Sequence, residues 1–146
     1  MTPATLAGSW QFWALLSAVF AALTAVFAKI GVAGINSDFA TLLRTVVVIA
    51  VLAAIVAATN QWQPLAGITG RSWTFLVLSG LGTGASWLCY FRALKLGDVA
   101  RVAPVDKLSI VFVAVIGVVF LGERLSPANW FGVVLFGAGI WLVAMK

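Results

Sequence analysis

Acid–base side chains are scarce in this sequence. Its 146 residues include nine Lys and Arg, four Asp and Glu, and no His. Without His the commonest general acid or base of enzymes is missing, and neither a nucleophile triad nor a Gly-rich phosphate loop is present. The sequence therefore predicts a protein that is not an enzyme.

Cysteine is almost absent as well, because it occurs only at Cys89. A lone Cys excludes a disulfide within the chain, and without His or a second Cys it has no partners for a zinc site. We therefore expect no metal and no cofactor. The expected role of Cys89 is that of a small apolar residue packed among others.

Apolar residues fill most of what remains. They make up 63% of the sequence, and the mean hydropathy is +1.13. A water-soluble domain of this length could not bury that much apolar surface, so the predicted medium is lipid. The net charge of +5 does not indicate a nucleic-acid partner, since the basic residues lie at the ends of apolar runs.

The apolar runs predict an all-α membrane protein with a single domain over residues 1–146. A spanning helix needs about 20 mostly apolar residues, and the runs suggest five such helices, at 12–32, 39–59, 73–91, 102–121 and 128–145. Gly, Asn, Ser and Asp between 34 and 38 stop the first helix and cap the second. Ser126 and Pro127 suit the N-cap and first position of the fifth.

Five crossings place the two termini on opposite sides of the membrane. The Lys and Arg residues divide unequally: Arg71 and Arg124 share the side of the N-terminus, against Arg92, Lys95, Arg101, Lys146 and, near helix ends, Lys29, Arg44 and Lys107. The positive-inside rule then predicts an external N-terminus and a cytoplasmic C-terminus in a bacterial-type inner membrane.

Charges concentrate in the polar run that opens the fourth helix. Asp106 and Lys107 begin its apolar part, where each charge at depth costs roughly 2.5 to 3.5 kcal/mol. They indicate either a charged vestibule for a polar solute, or an ion pair of Asp106 with Lys29 or Arg44 while Lys107 reaches the interface. Pro104 either lies where its missing N–H does no harm, or kinks the helix.

Four further residues are candidates for the translocation pathway. Lys29 and Arg44 flank the same predicted cytoplasmic end, where reaching to the interface is the simpler explanation. Trp87 and Tyr90 lie late in the third helix. The Trp87 ring either lines a solute cavity by stacking or a cation–π contact, or packs against lipid and neighbours.

Short motifs follow one another in an order typical of a known family. They are Arg-Ala-Leu at Arg92–Leu94, the early proline at Pro104, Leu-Gly-Glu at Leu121–Glu123, and the spacing of Gly132, Leu135, Gly139 and Leu142. In this combination, and along essentially the whole chain, the sequence resembles the EamA-type domain of the drug/metabolite transporter superfamily.

The resemblance implies a transporter of small metabolites. Larger members of the superfamily carry ten helices as two halves of opposite orientation, with the substrate site between the halves. This chain corresponds to one half, so the resemblance implies a dimer. An antiparallel homodimer, a partner half of opposite orientation and a parallel dimer all remain open, as does a non-transporting accessory subunit that stabilises a partner.

The resemblance also bears on dimer contacts and coupling. Gly132 and Gly139, two turns apart on one helix face, resemble the dimerisation spacing of smaller four-helix exporters. Those exporters carry a glutamate in their first helix. Here that helix offers Ser17, Thr24 and Lys29, which argues against proton-coupled export of cations.

Overall fold

The computed structural model describes residues 8–145, and the regular structure in this range is helical. The helices are α1 (Trp10–Gly31), α2 (Ser37–Ala58), a 3₁₀ turn (Leu65–Gly67), α3 (Gly70–Leu96), α4 (Val99–Asp106), α5 (Ser109–Phe120) and α6 (Pro127–Ala144). With α4 and α5 taken together as one span, five spans are long and apolar enough to cross a membrane. The predicted all-α, multi-pass fold is confirmed.

Two helices are capped by residues that the sequence suggests, although α2 begins two residues before the predicted start and α6 one residue before it. Before α2, the Asn36 side chain accepts hydrogen bonds from the amides of Asp38 at 2.9 Å and Phe39 at 3.2 Å. Before α6, Ser126 Oγ accepts from the amide of Asn129 at 3.2 Å, and Pro127 takes the first helical position. In both places a short polar side chain satisfies amides that have no partner within the helix.

The third helix is longer than the sequence predicts. The predicted range of 73–91 stops where charged residues begin, whereas α3 starts at Gly70 and continues to Leu96. Arg92 and Lys95 therefore lie within the helix. The extension is possible because both side chains find oxygen partners, described below, so their charges do not force the helix to end.

The predicted continuous fourth helix, 102–121, is interrupted. It starts earlier, at Val99, and breaks at Lys107 and Leu108 between α4 and α5. At the break, the amides of Lys107 and Leu108 donate to carbonyls three residues back, each at 3.0 Å. Pro104 lies inside α4, beyond the first turn, and its missing N–H leaves the carbonyl of Ala100 without its α-helical donor.

The end of α5 is closed by the Leu-Gly-Glu motif. Gly122 has a φ of +70°, a conformation that favours glycine. The amide of Glu123 then donates to the carbonyl of Gly117 at 3.1 Å. A Cβ on Gly117 would lie only 2.7 Å from Glu123 Oε2. The motif thus folds the chain back over the buried Gly117.

The described chain divides into two compact units. One comprises residues 28–95, and its buried apolar residues include Val32, Phe91 and Leu94. The other comprises residues 8–27 and 96–145. In this second unit α6 packs against α4 and α5, with Gly137 next to Val111 and Ile140 buried.

Most of the apolar surface faces outward. In the most apolar window of each span, no more than 11% is buried within the chain. In water this exposure would be untenable, because large apolar surfaces drive aggregation. The spans are therefore built to be covered by lipid or by another protein.

Candidate functional site

Arg44 lies against aromatic rings of α3. Its guanidinium carbon is 3.8 Å from the centroid of the Trp87 ring and 5.7 Å from that of Phe91. A cation over an aromatic face is attracted by the negative charge density of the ring, and Trp is the strongest of these partners. The sequence suggested a cation–π contact of Trp87 with a solute; in the structure the cation over the ring is Arg44, from α2 of the same chain.

This contact lies well inside the spanning segments. Arg44 is the eighth residue of α2, about 10 Å along the helix axis from its start. Trp87 is nine residues before the end of α3, about 13 Å from it. Both side chains are half-buried and Phe91 is buried. The Arg44 guanidinium is therefore set back from the helix ends.

Three basic residues tie the end of α3 to the α1–α2 connection; we call Lys29, Arg92 and Lys95 the basic trio. Lys29 Nζ donates to the carbonyl of Leu94 at 2.6 Å. Lys95 Nζ donates to the carbonyl of Ile35 at 2.8 Å. Arg92 donates two hydrogen bonds to the Asp38 carboxylate, of 2.7 and 3.1 Å. Each member of the trio therefore makes a specific contact with another part of the chain.

The sequence analysis missed the Arg92–Asp38 pair and the contact of Lys95. A signal was available, because an up-and-down topology brings the start of the second helix and the end of the third to one side of the membrane. Asp38 and Arg92 are opposite charges at those two ends. The pair also suits α2 locally, since a carboxylate in the first turn interacts favourably with the helix dipole.

Asp106 and Lys107 pair with each other. Lys107 Nζ lies 3.1 Å from Asp106 Oδ2. The sequence left open a charged vestibule and an ion pair of Asp106 with Lys29 or Arg44; in the structure, the cation beside Asp106 is Lys107.

The remaining candidates have simpler surroundings. Tyr90 is half-buried in the last third of α3, and Pro104 is half-buried just before the interruption. Within residues 8–145, apart from the adjacent residues and backbone of α6 itself, no atom lies within 4 Å of where a Cβ would be on Gly132 or Gly139. That face of α6 is open at both glycines.

Cys89 differs from its expected role. It is exposed on the surface of α3, and it is not packed among apolar neighbours as predicted. The reason is that the chain alone buries so little of each span that even small apolar residues face outward.

The comparison with known proteins agrees with the fold. Residues 8–145 match the EamA-like transporter family. The chain is 72% identical over 137 residues to a Sinorhizobium sp. protein named "Uncharacterized transporter in cobO 3'region", covering 94% of this chain and 97% of that protein.

A second relative is more distant. It is a Vibrio cholerae serotype O1 protein named "Uncharacterized transporter", 28% identical over 96 residues, which cover 63% of this chain and 32% of that protein. No solved structure matches the chain. The family match extends over almost every residue, and the chain therefore belongs to the EamA-like transporter family.

Proposed function

We propose that the chain is a subunit of a secondary transporter that moves a small metabolite or drug-like solute by alternating access, and that it acts as a dimer. Family membership and the similarity to two proteins named as transporters support transport. The finer points, namely the mechanism, the solute and the dimer, rest on the physical arguments that follow.

The observation that carries the proposal is the interrupted fourth span. Charged side chains are costly in hydrocarbon, so those within spans commonly face polar pathways. The Asp106–Lys107 pair lies where regular helical hydrogen bonding is broken, between α4 and α5. Irregular backbone at membrane depth is tolerated where it is covered by protein or lines a polar cavity. A solute pathway beside this break would account for both features.

The proposed dimer follows from the open surfaces of the spans. Gly132 and Gly139 leave room on α6 for the close approach of another helix. A second half would cover apolar faces that one copy leaves exposed. We further propose a bacterial-type inner-membrane location with the N-terminus outside, on the asymmetry of Lys and Arg.

Purified protein in liposomes tests the proposal. Counterflow of radiolabelled amino acids, carboxylates, phosphate esters and cationic dyes should identify at least one solute that is exchanged. A different result would show that the proposal is wrong and that the chain is an accessory subunit: no solute moves with this chain alone, but another protein from the same membrane transports a solute when this chain is added.

Asp106→Asn should slow the transport of that solute about tenfold, equivalent to roughly 1.4 kcal/mol in the barrier, because Lys107 loses its charged partner. The variant should still insert into the membrane at normal levels. Asp98→Asn is a matched control: Asp98 precedes α4, is exposed and makes no side-chain cap. Equal rates in Asp106→Asn and wild type would show that the carboxylate has only a structural role.

A further inference from the structure

Within residues 8–145, the Arg44 guanidinium donates no hydrogen bond to the protein. A guanidinium carries five N–H donors, yet within residues 8–145 none of them makes a hydrogen bond, and no carboxylate lies within ion-pair distance. Its ring contacts are with Trp87 and Phe91, and it also interacts electrostatically with Tyr90. Aromatic faces attract the charge but accept no conventional hydrogen bond, so the donors stay available.

The unit that contains Arg44 carries an excess of positive charge. This unit, residues 28–95, contains five basic residues and one acidic residue, Asp38. Asp38 is already bound to Arg92. No free carboxylate of this unit therefore competes for Arg44, and the net charge of the unit favours an anion.

The depth of Arg44 in its span indicates that the available N–H donors of its guanidinium have a ligand. A charged side chain set about 10 Å along a spanning helix is costly without a partner, and such residues commonly mark the path of a solute or ion. The ring contacts restrict the side chain and so reduce the entropy lost when a ligand binds. Planar oxyanions match a fixed guanidinium because they accept two parallel N–H bonds.

We propose that Arg44, held against Trp87, binds an oxyanion, either a carboxylate or a phosphate group. Two sources share this chemistry: a transported solute and the headgroup of an anionic lipid. The assignment to a solute rests on the transport function proposed above, whereas the oxyanion site itself does not.

Binding is measured on the full chain in detergent, without any transport step. Inorganic phosphate and acetate are titrated while Trp fluorescence and heat of binding are followed, with sodium chloride as the control for ionic strength. We expect saturable binding by the wild type. Arg44→Gln should weaken it about tenfold or more, the loss expected for a charged hydrogen-bonded contact.

Two variants separate a specific site from general attraction. Arg44→Lys keeps the charge but lacks the planar fork, so its affinity should fall between wild type and Arg44→Gln. Arg71→Gln removes an exposed arginine whose guanidinium carbon is 6.0 Å from the Phe75 ring, and it should bind like wild type. Absence of saturable binding, wild-type affinity in Arg44→Lys, or equal losses in Arg71→Gln and Arg44→Gln would overturn the proposal.

Vesicles distinguish the two sources. Phosphate or acetate is bound to the protein in phosphatidylcholine vesicles, and phosphatidylglycerol is then added. If the anion stays bound, the site is assigned to a solute. Displacement by phosphatidylglycerol assigns it to a lipid headgroup. Anion binding without counterflow of any solute would contradict transport and leave the oxyanion site in place. Counterflow without anion binding would overturn the oxyanion site and leave transport in place.

Discussion

At the scale of single residues, Lys29 illustrates how a membrane protein satisfies its own backbone. The last carbonyls of a helix have no donor within the helix, and that of Leu94 lies near the end of α3 in a residue that is 0% exposed. Neither water nor lipid headgroups can reach it. The ammonium group of Lys29, 2.6 Å away, is the donor it receives.

Lys29→Met should therefore destabilise the protein by about 1 kcal/mol, the usual range for a hydrogen bond within a membrane domain. Lys95→Met is the matched control, because Lys95 also donates to a carbonyl but its acceptor belongs to the exposed Ile35. Headgroups or water can replace Lys95. Thermal unfolding of both variants in the same detergent checks the prediction, and equal stability of the two would contradict it.

Sequence reasoning identified Arg44, Trp87 and Lys29 as important but could not predict their partners. A periodic apolar pattern places residues along a helix, whereas contacts between helices depend on how each helix is rotated. Aromatic and charged side chains reach several neighbours, so several pairings looked equally good. The contact of Arg44 with Trp87 at 3.8 Å is one that only the structure could select.

At the scale of helices, the number of spans and the capping residues of α2 and α6 were the predictable part. Short polar caps such as Asn36 and Ser126 act on amides two or three residues away, so the sequence alone specifies them. The interruption at Lys107 and Leu108 was not predicted, because the pattern around it remains apolar and Pro104 has two reasonable interpretations. The extension of α3 was not predicted because charged residues after an apolar run usually mark the end of a spanning helix, and Arg92 and Lys95 follow such a run.

The end of α5 offers a direct test of the Leu-Gly-Glu motif. Gly122→Ala should destabilise the protein by about 1 to 2 kcal/mol, since an L-residue with a side chain is strained at a φ of +70°. Gly82→Ala serves as control, because Gly82 lies in α3 with open space around it. Chemical or thermal unfolding of both variants measures the difference, and a Gly122→Ala protein as stable as Gly82→Ala would refute the role given to the glycine.

At the scale of the whole molecule, the exposed spans point to assembly. Gly132→Leu together with Gly139→Leu should weaken self-association about tenfold, near 1.4 kcal/mol, by filling the open face of α6. Ala138→Leu places a leucine at an exposed neighbouring position of the same helix and should leave association unchanged. Single-molecule photobleaching in lipid measures the fraction of dimers, and the same fraction in the glycine double variant and wild type would exclude this face as the contact.

Cysteine cross-linking extends the same test to orientation. In a Cys89→Ser background, Ser9→Cys and Met145→Cys mark positions near the two ends of the described chain. A parallel pair joins like positions, and an antiparallel pair joins unlike ones. If neither cross-link forms while photobleaching still shows dimers, the contact lies away from these ends.

The contacts of the basic trio impose an order on biosynthesis. Lys29 is separated from Leu94 by 65 residues, and Asp38 from Arg92 by 54. A ribosome delivers α1 and α2 long before the groups on α3 that neutralise or bind them. The first helical hairpin therefore enters the bilayer before the partners of Lys29 and Asp38 exist, and these contacts form only when the third helix arrives.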